Sequence, residues 1–203
     1  MKKAFVAMAL VLCVSSALAA TVYNNQADFL ANVAAGYYLE DFGTPATSYV
    51  VTAPFTNGTY TWSVSAGDDI YVWGEDYASG TPCVGSLGTN GPGYAMTFTF
   101  SGAPVTAFGG NLYLTDQYFG AVSGTAVVSL NDGTQVTLTN PYSTTFTGFT
   151  STTPITSVTL TPDPGSTVNL YGTVDNIICG AYIPEPSALV LLGLGAMALI
   201  RRR

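Results

Sequence analysis

The groups able to do chemistry in this 203-residue chain are almost all acids. Between Ala20 and Ile183 stand eleven carboxylates, with no lysine, arginine or histidine beside them. Each carboxylate must therefore face water, accept backbone N–H groups or bind a metal ion. Without histidine or lysine, the Ser-His-Asp and Cys-His arrangements of nucleophilic catalysis are impossible. Glycoside hydrolysis needs only two carboxylates at a fixed separation, and Glu75 or Asp76 with Asp116 is the candidate pair.

A second chemistry is carried by "GDDIYVWGEDYASG", residues 67–80. If Ile70 and Val72 point inward along a strand, Tyr71 and Trp73 point outward together. Aromatic faces take the C–H side of a sugar ring while a carboxylate accepts its hydroxyls. The candidate glycan-binding set is thus Tyr71, Trp73 and Asp76. The competing reading makes Trp73 a core residue and the acids loop charges. Trp62 shares a strand face with Tyr60 and Val64 and reads as core.

These residues need a scaffold, and the apolar pattern supplies one. Only "NNQADFLANVAAG" reads as helix, with Asn24 or Asn25 as N-cap and Gly36 as stop. Elsewhere the alternation has period two: Tyr60, Trp62 and Val64; Met96, Phe98 and Phe100; Val136 and Leu138; Val158 and Leu160. Further strands are expected around 48–53, 70–73, 105–114, 125–130, 144–149 and 168–178. Asp132-Gly133 marks a hairpin turn, and Gly109-Gly110 a bulge. Residues 79–93 and 162–166 read as longer loops. About ten short strands with Thr and Ser on their wet faces predict an all-β fold, an antiparallel β-sandwich with jelly-roll topology and one short N-terminal helix. Charged residues are only 8% of the chain, but 48% is hydrophobic, enough for a packed core rather than disorder.

Both ends read as processing signals. Residues 1–19 form a signal peptide: Lys2 and Lys3, an apolar stretch, then Ala17-Leu18-Ala19 as the cleavage site, with Ala17 and Ala19 its small residues. The remaining 20–183 make one domain, and 184–203 a separate tail. That tail holds Pro184-Glu185-Pro186, an apolar run of 13 residues from Ala188 to Ile200, and Arg201-Arg202-Arg203. The run is shorter than the roughly 17–25 residues of a stable span, but snorkelling arginines extend its reach. Bases flanking apolar segments stay on the cytoplasmic side. All five bases of the chain therefore hold its two ends inside while the middle is exported.

The tail resembles the PEP-CTERM sorting signal of Gram-negative bacteria in all three parts. The resemblance implies a membrane peptidase partner, exosortase, that recognises Pro184, Glu185 and Pro186 with Arg201, Arg202 and Arg203. Prolines on both sides of Glu185 keep the backbone extended, the form a protease accepts. It further implies transient residence in the inner membrane, then a cell-surface or extracellular protein associated with exopolysaccharide or biofilm. The segments "YYLEDFGTP" (37–45) and "YGTVDNIICG" (171–180) are similar to the first and last strands of jelly-roll carbohydrate-binding modules. That similarity implies a structural Ca²⁺ held by Glu40 or Asp41 together with Asp175; exposed edge charges are the competing reading.

Export also bears on the cysteines. Cys13 leaves with the signal peptide, and Cys83 and Cys179 remain as a candidate disulfide or as two buried thiols. Two cysteines without histidine do not make a zinc site. A domain of eleven acids and no base has nothing to neutralise phosphates, which excludes nucleic acid as a partner. The expectation is a non-enzymatic, exported glycan-associated protein, with a secreted glycan-active enzyme using a carboxylate pair as the alternative.

Overall fold

The computed structural model describes residues 19–163 and 169–184. The signal peptide up to Leu18, with Ala17, lies outside them, as do Glu185, Pro186 and the three arginines. Ala19 and Pro184 are described, and both are exposed.

Two antiparallel sheets carry the chain, as the alternation predicts. The smaller sheet has six strands: β4 (Phe55–Asn57), β5 (Tyr60–Ser65), β8 (Met96–Gly102), β10 (Thr125–Leu130), β11 (Gln135–Thr139) and β13 (Ser157–Pro162). They stand in the order β11-β10-β13-β8-β5-β4. The larger sheet has eight: β1 (Thr21–Tyr23), β2 (Tyr38–Glu40), β3 (Tyr49–Val50), β6 (Ile70–Val72), β7 (Leu87–Thr89), β9 (Ala107–Thr115), β12 (Phe146–Thr150) and β14 (Tyr171–Gly180). Its order is β1-β12-β9-β14-β7-β6-β3, with β2 also paired to β14. β14 thus carries β9 along one edge and divides its other edge between β7 and β2. The neighbours β2-β14-β9-β12 and β5-β8-β13-β10-β11 are compatible with a jelly roll that has β8 inserted beside β5.

Between the sheets lies one apolar cluster. Its centre is Trp62, fully buried, stacked on Phe55 at 4.2 Å and flanked by Tyr38, Phe42 and Phe98. The period-two residues Met96, Phe98, Val158 and Leu160 all point into it.

Two short helices cover the opposite, outer face of the larger sheet. α1 (Gln26–Leu30) is capped by Asn25, whose Oδ1 accepts the N–H groups of Ala27 (2.8 Å) and Asp28 (3.1 Å). Its Phe29 packs with Phe146, Val33 and Ile178. Gly148 of β12 makes room for that ring: a Cβ there would stand 2.7 Å from Phe29 Cδ2. The bulge expected at Gly109-Gly110 lies in the partner strand instead. The β9–β14 register slips between Asp175 and Ile178, where Asn176 adopts φ +52°. Gly109 serves a different purpose, close approach of the Phe29 and Phe146 rings. The second helix, α2 (Glu75–Ala78), falls within the segment singled out for its aromatics.

Candidate functional site

Strand alternation in β6 sends Ile70 and Val72 into the main core and Tyr71 outward. Trp73 follows to the same outer side, where it forms a second cluster with Ala78 and Cys83. The Tyr71 and Trp73 rings lie stacked at 5.0 Å. α2 then brings Tyr77 over Trp73 at 5.5 Å. The loop after β9 adds Phe119, 4.7 Å from Trp73 and 5.2 Å edge-on to Tyr77. Trp73 is only 5% exposed, so its indole is a wall under these rings and not an open platform, whereas Tyr77 is 65% exposed. Trp73, Tyr77 and Phe119 border a cleft of about 150 Å³, lined also by Thr89, Asn90, Thr115, Asp116, Gln117 and Tyr171; Tyr71 stacks on Trp73 without bordering it.

Phe119 reaches this place through a strained turn. Its φ is +64°, a left-handed conformation that costs a non-glycine residue roughly 1–2 kcal/mol. Asp116 holds the turn closed: its Oδ1 accepts the N–H groups of Tyr118 (2.8 Å) and Gly120 (3.0 Å). Beneath the cleft the sheet presents a satisfied polar layer. Ser86 Oγ and Tyr113 OH are 2.7 Å apart, the Tyr113 hydroxyl donates to Pro82 O at 3.0 Å, and Thr115 and Thr173 hydroxyls pair at 3.0 Å.

The candidate carboxylates are distributed differently from one another. Asp116 lines the cleft. Asp76 turns to the loop before β3, where its Oδ1 accepts Ser48 N (2.7 Å) and Ser48 Oγ (2.9 Å). Ser48 Oγ in turn accepts Gly74 N at 2.8 Å, so Asp76 fixes the entry to α2. Glu75 is exposed and does not line the cleft. Asp116 is thus the single acid among the residues bordering it.

The chain's last described residues are tied to α1. Tyr182 bridges to Val33, its N–H donates to Thr106 Oγ1 at 2.7 Å, and Ile183 N donates to Asn32 O at 2.9 Å. Beyond that anchorage Pro184 stands exposed. From there, residues 183–203 match the family model of the PEP-CTERM protein-sorting motif. The chain carries a PEP-CTERM sorting signal. It is therefore an exported protein, made as a membrane-anchored precursor and processed by an exosortase-type membrane enzyme. No curated protein and no solved structure matches the chain. Among the described residues no helix is long and apolar enough to cross a membrane. The apolar run of the PEP-CTERM tail lies outside those residues.

In the domain that the PEP-CTERM tail delivers, the suggested calcium ligands divide: Glu40 stands apart from Asp175, whereas the exposed Asp41 is near enough for its charge to act on Asp175. The Glu40 carboxylate accepts the Tyr38 hydroxyl and, at 3.1 Å, Phe42 N, among side chains that face the main core. Asp175 leaves β14 on the other side, one residue after the core-facing Val174. Burial, joined by the charge of nearby Asp41 and opposed by the Asn176 N–H, pushes its carboxyl up to about 6. Among the described residues no three carboxylates or thiols gather as a metal site. The proposed disulfide is corrected: Cys83 and Cys179 are both free. Cys83 belongs to the Trp73 cluster outside the larger sheet, and Cys179 to the core inside it. Burial pushes the Cys83 thiol up to about 11 and raises Cys179 as well, so neither is a ready nucleophile.

Of the residues singled out in the sequence, Trp73 and Asp116 border the cleft and Tyr71 and Asp76 do not. Asn90, Tyr171 and the pair Gln117 and Phe119, which share the turn of Asp116, come from three separate stretches, and no spacing rule connects those stretches to Trp73. Tyr77 had a signal in the "EDYA" that begins a helix after Gly74, with two acids in its first turn.

Proposed function

We propose that the exported domain is a non-catalytic module of the cell surface or extracellular matrix that holds exopolysaccharide in the Trp73–Tyr77–Phe119 cleft. The observation that carries this reading is the convergence of exposed Tyr77 with Asn90, Gln117 and Asp116 around one aromatic wall. Ring faces shed water onto the C–H side of a sugar, while the amides and the carboxylate meet its hydroxyls. At about 150 Å³ the cleft is smaller than the roughly 300–1,000 Å³ of enclosed ligand sites, which favours one sugar unit gripped at the end or edge of a chain. Hydrolysis needs a second carboxylate across the scissile bond. Glu75 and Asp76 do not supply it here, which supports retention over turnover.

The test is a glycan array probed with the full-length chain in mild detergent, followed by product analysis of every retained glycan. Retention without cleavage is expected, and Tyr77→Ala should weaken it about tenfold, in line with the loss of one aromatic contact. Absence of retention, or release of shortened glycan, would defeat the reading. Mass spectrometry of the surface form checks the delivery route: the C-terminus should fall near Pro184, and a surface form still ending in Arg203 would contradict it.

A further inference from the structure

We infer that this cleft selects a cationic amino sugar over neutral and acidic ones; the inference rests on the glycan-binding reading above. Asp116 is the decisive group. Its Oδ1 is occupied by two backbone N–H groups, while Oδ2 has no hydrogen-bond partner among the described residues. A fixed carboxylate with one free oxygen, in a cleft shared with the exposed ring of Tyr77 and with Phe119, is the arrangement that receives an ammonium group. The domain itself has no competitor for that place, since residues 20–183 contain no lysine, arginine or histidine. The cation must come from the ligand. The same lack of bases leaves no side-chain cation to pair with a uronic acid or a sulfate, and eleven acids repel both.

The neighbourhood extends the site beyond one sugar. Beside the cleft lies a second depression of about 180 Å³, bordered by Tyr118 and Asn169. Tyr118 is 74% exposed and offers a second aromatic surface. The two depressions share Asp116 and Gln117. Adjacent units of a hexosamine chain would thus place one amine at Asp116 and the next ring against Tyr118.

Titration of the full-length chain with a glucosamine tetramer and with the same tetramer N-acetylated separates the possibilities, at a pH where the free amines are protonated. The amine form should bind about ten- to thirtyfold more tightly, the range expected of a cation gaining a carboxylate and a ring face. That preference should shrink with added salt and disappear in Asp116→Asn. Asparagine keeps Oδ1 for the Tyr118 and Gly120 N–H groups, and an unchanged thermal midpoint confirms that the turn survives. Equal binding of both tetramers, or a preference that persists in Asp116→Asn, overturns the inference and leaves the glycan-binding reading intact. Failure of both tetramers and of every neutral glycan removes the glycan-binding reading and the inference with it.

Discussion

The two outer faces of this sandwich are made from the same kind of strand but finished in opposite ways. The smaller sheet presents hydroxyls in register: Ser63, Thr99 and Ser157 in one row, then Ser65, Thr97, Thr159 and Ser129 in another, which the amide of Gln135 closes. Neighbours bond each other, Ser63 to Thr99 at 2.8 Å and Thr97 to Thr159 at 3.0 Å. The larger sheet instead carries α1, α2 and the Asp116–Gly120 turn, and with them the half-buried Asp116 carboxylate and the aromatic cleft. The sheets alone do not make the site. What makes it is the cover laid on one of them, fixed by Asp76, Asp116 and glycines that admit large rings.

The comparison predicts its largest asymmetry in stability. Phe29→Ala would empty a fully buried position on the covered face and cost about 3–5 kcal/mol, because a packed ring is replaced by a cavity. Thermal or urea unfolding measures it; a loss below about 1 kcal/mol would mean that α1 is a loosely held cover and that the two faces differ less than their packing indicates. Next in size is Asp76→Ala. It removes the acceptor of two Ser48 hydrogen bonds and frees the loop against α2, for about 1–2 kcal/mol. Glycan retention should weaken with it although Asp76 does not border the cleft; unaltered retention would show that α2 holds Tyr77 without that loop.

How much of this was legible follows the same division. The uncovered sheet is read directly from period two: β5, β8, β10, β11 and β13 stand where alternation puts them, and the Asp132-Gly133 turn joins β10 to β11. Asn25 and Phe29 of α1 were equally plain, since a cap and an apolar stripe are local signals. The covered sheet was harder. β7 is only Leu87–Thr89 and sits inside a stretch read as loop, because Gly88 must stay bare where the Trp73 indole passes; a Cβ there would stand 2.7 Å from Nε1. Packing of one residue erased the strand signal of another. The disulfide reading failed for a related reason: spacing cannot say on which side of the larger sheet a side chain ends. Cys83 and Cys179 diverge on that point, and so do Glu40 and Asp175.

Asp175 gives a smaller, pH-dependent contrast. Its carboxyl titrates near 6 in the folded chain, against 3.8 in the ordinary case. Between those values the folded state keeps a proton that the unfolded chain has released. Stability therefore falls as pH rises from about 4 to above 6. The effect is about 1–2 kcal/mol once the partial exposure of the group is allowed for. Asp175→Asn should flatten that slope, and a slope that is unchanged in the variant would assign it to other carboxylates.

The smallest effect is expected on the hydroxyl face. Thr99→Val replaces an exposed hydroxyl with a methyl of nearly the same shape on a strand that favours β-branched residues. It removes one bond to Ser63, which water can replace because both groups stand at the surface. The expected change in stability is within about 0.5 kcal/mol, and glycan retention should be untouched. If Thr99→Val lowered retention as Tyr77→Ala does, the ligand would have to lie across the uncovered sheet, and the aromatic cleft would lose its claim to be where sugar is held.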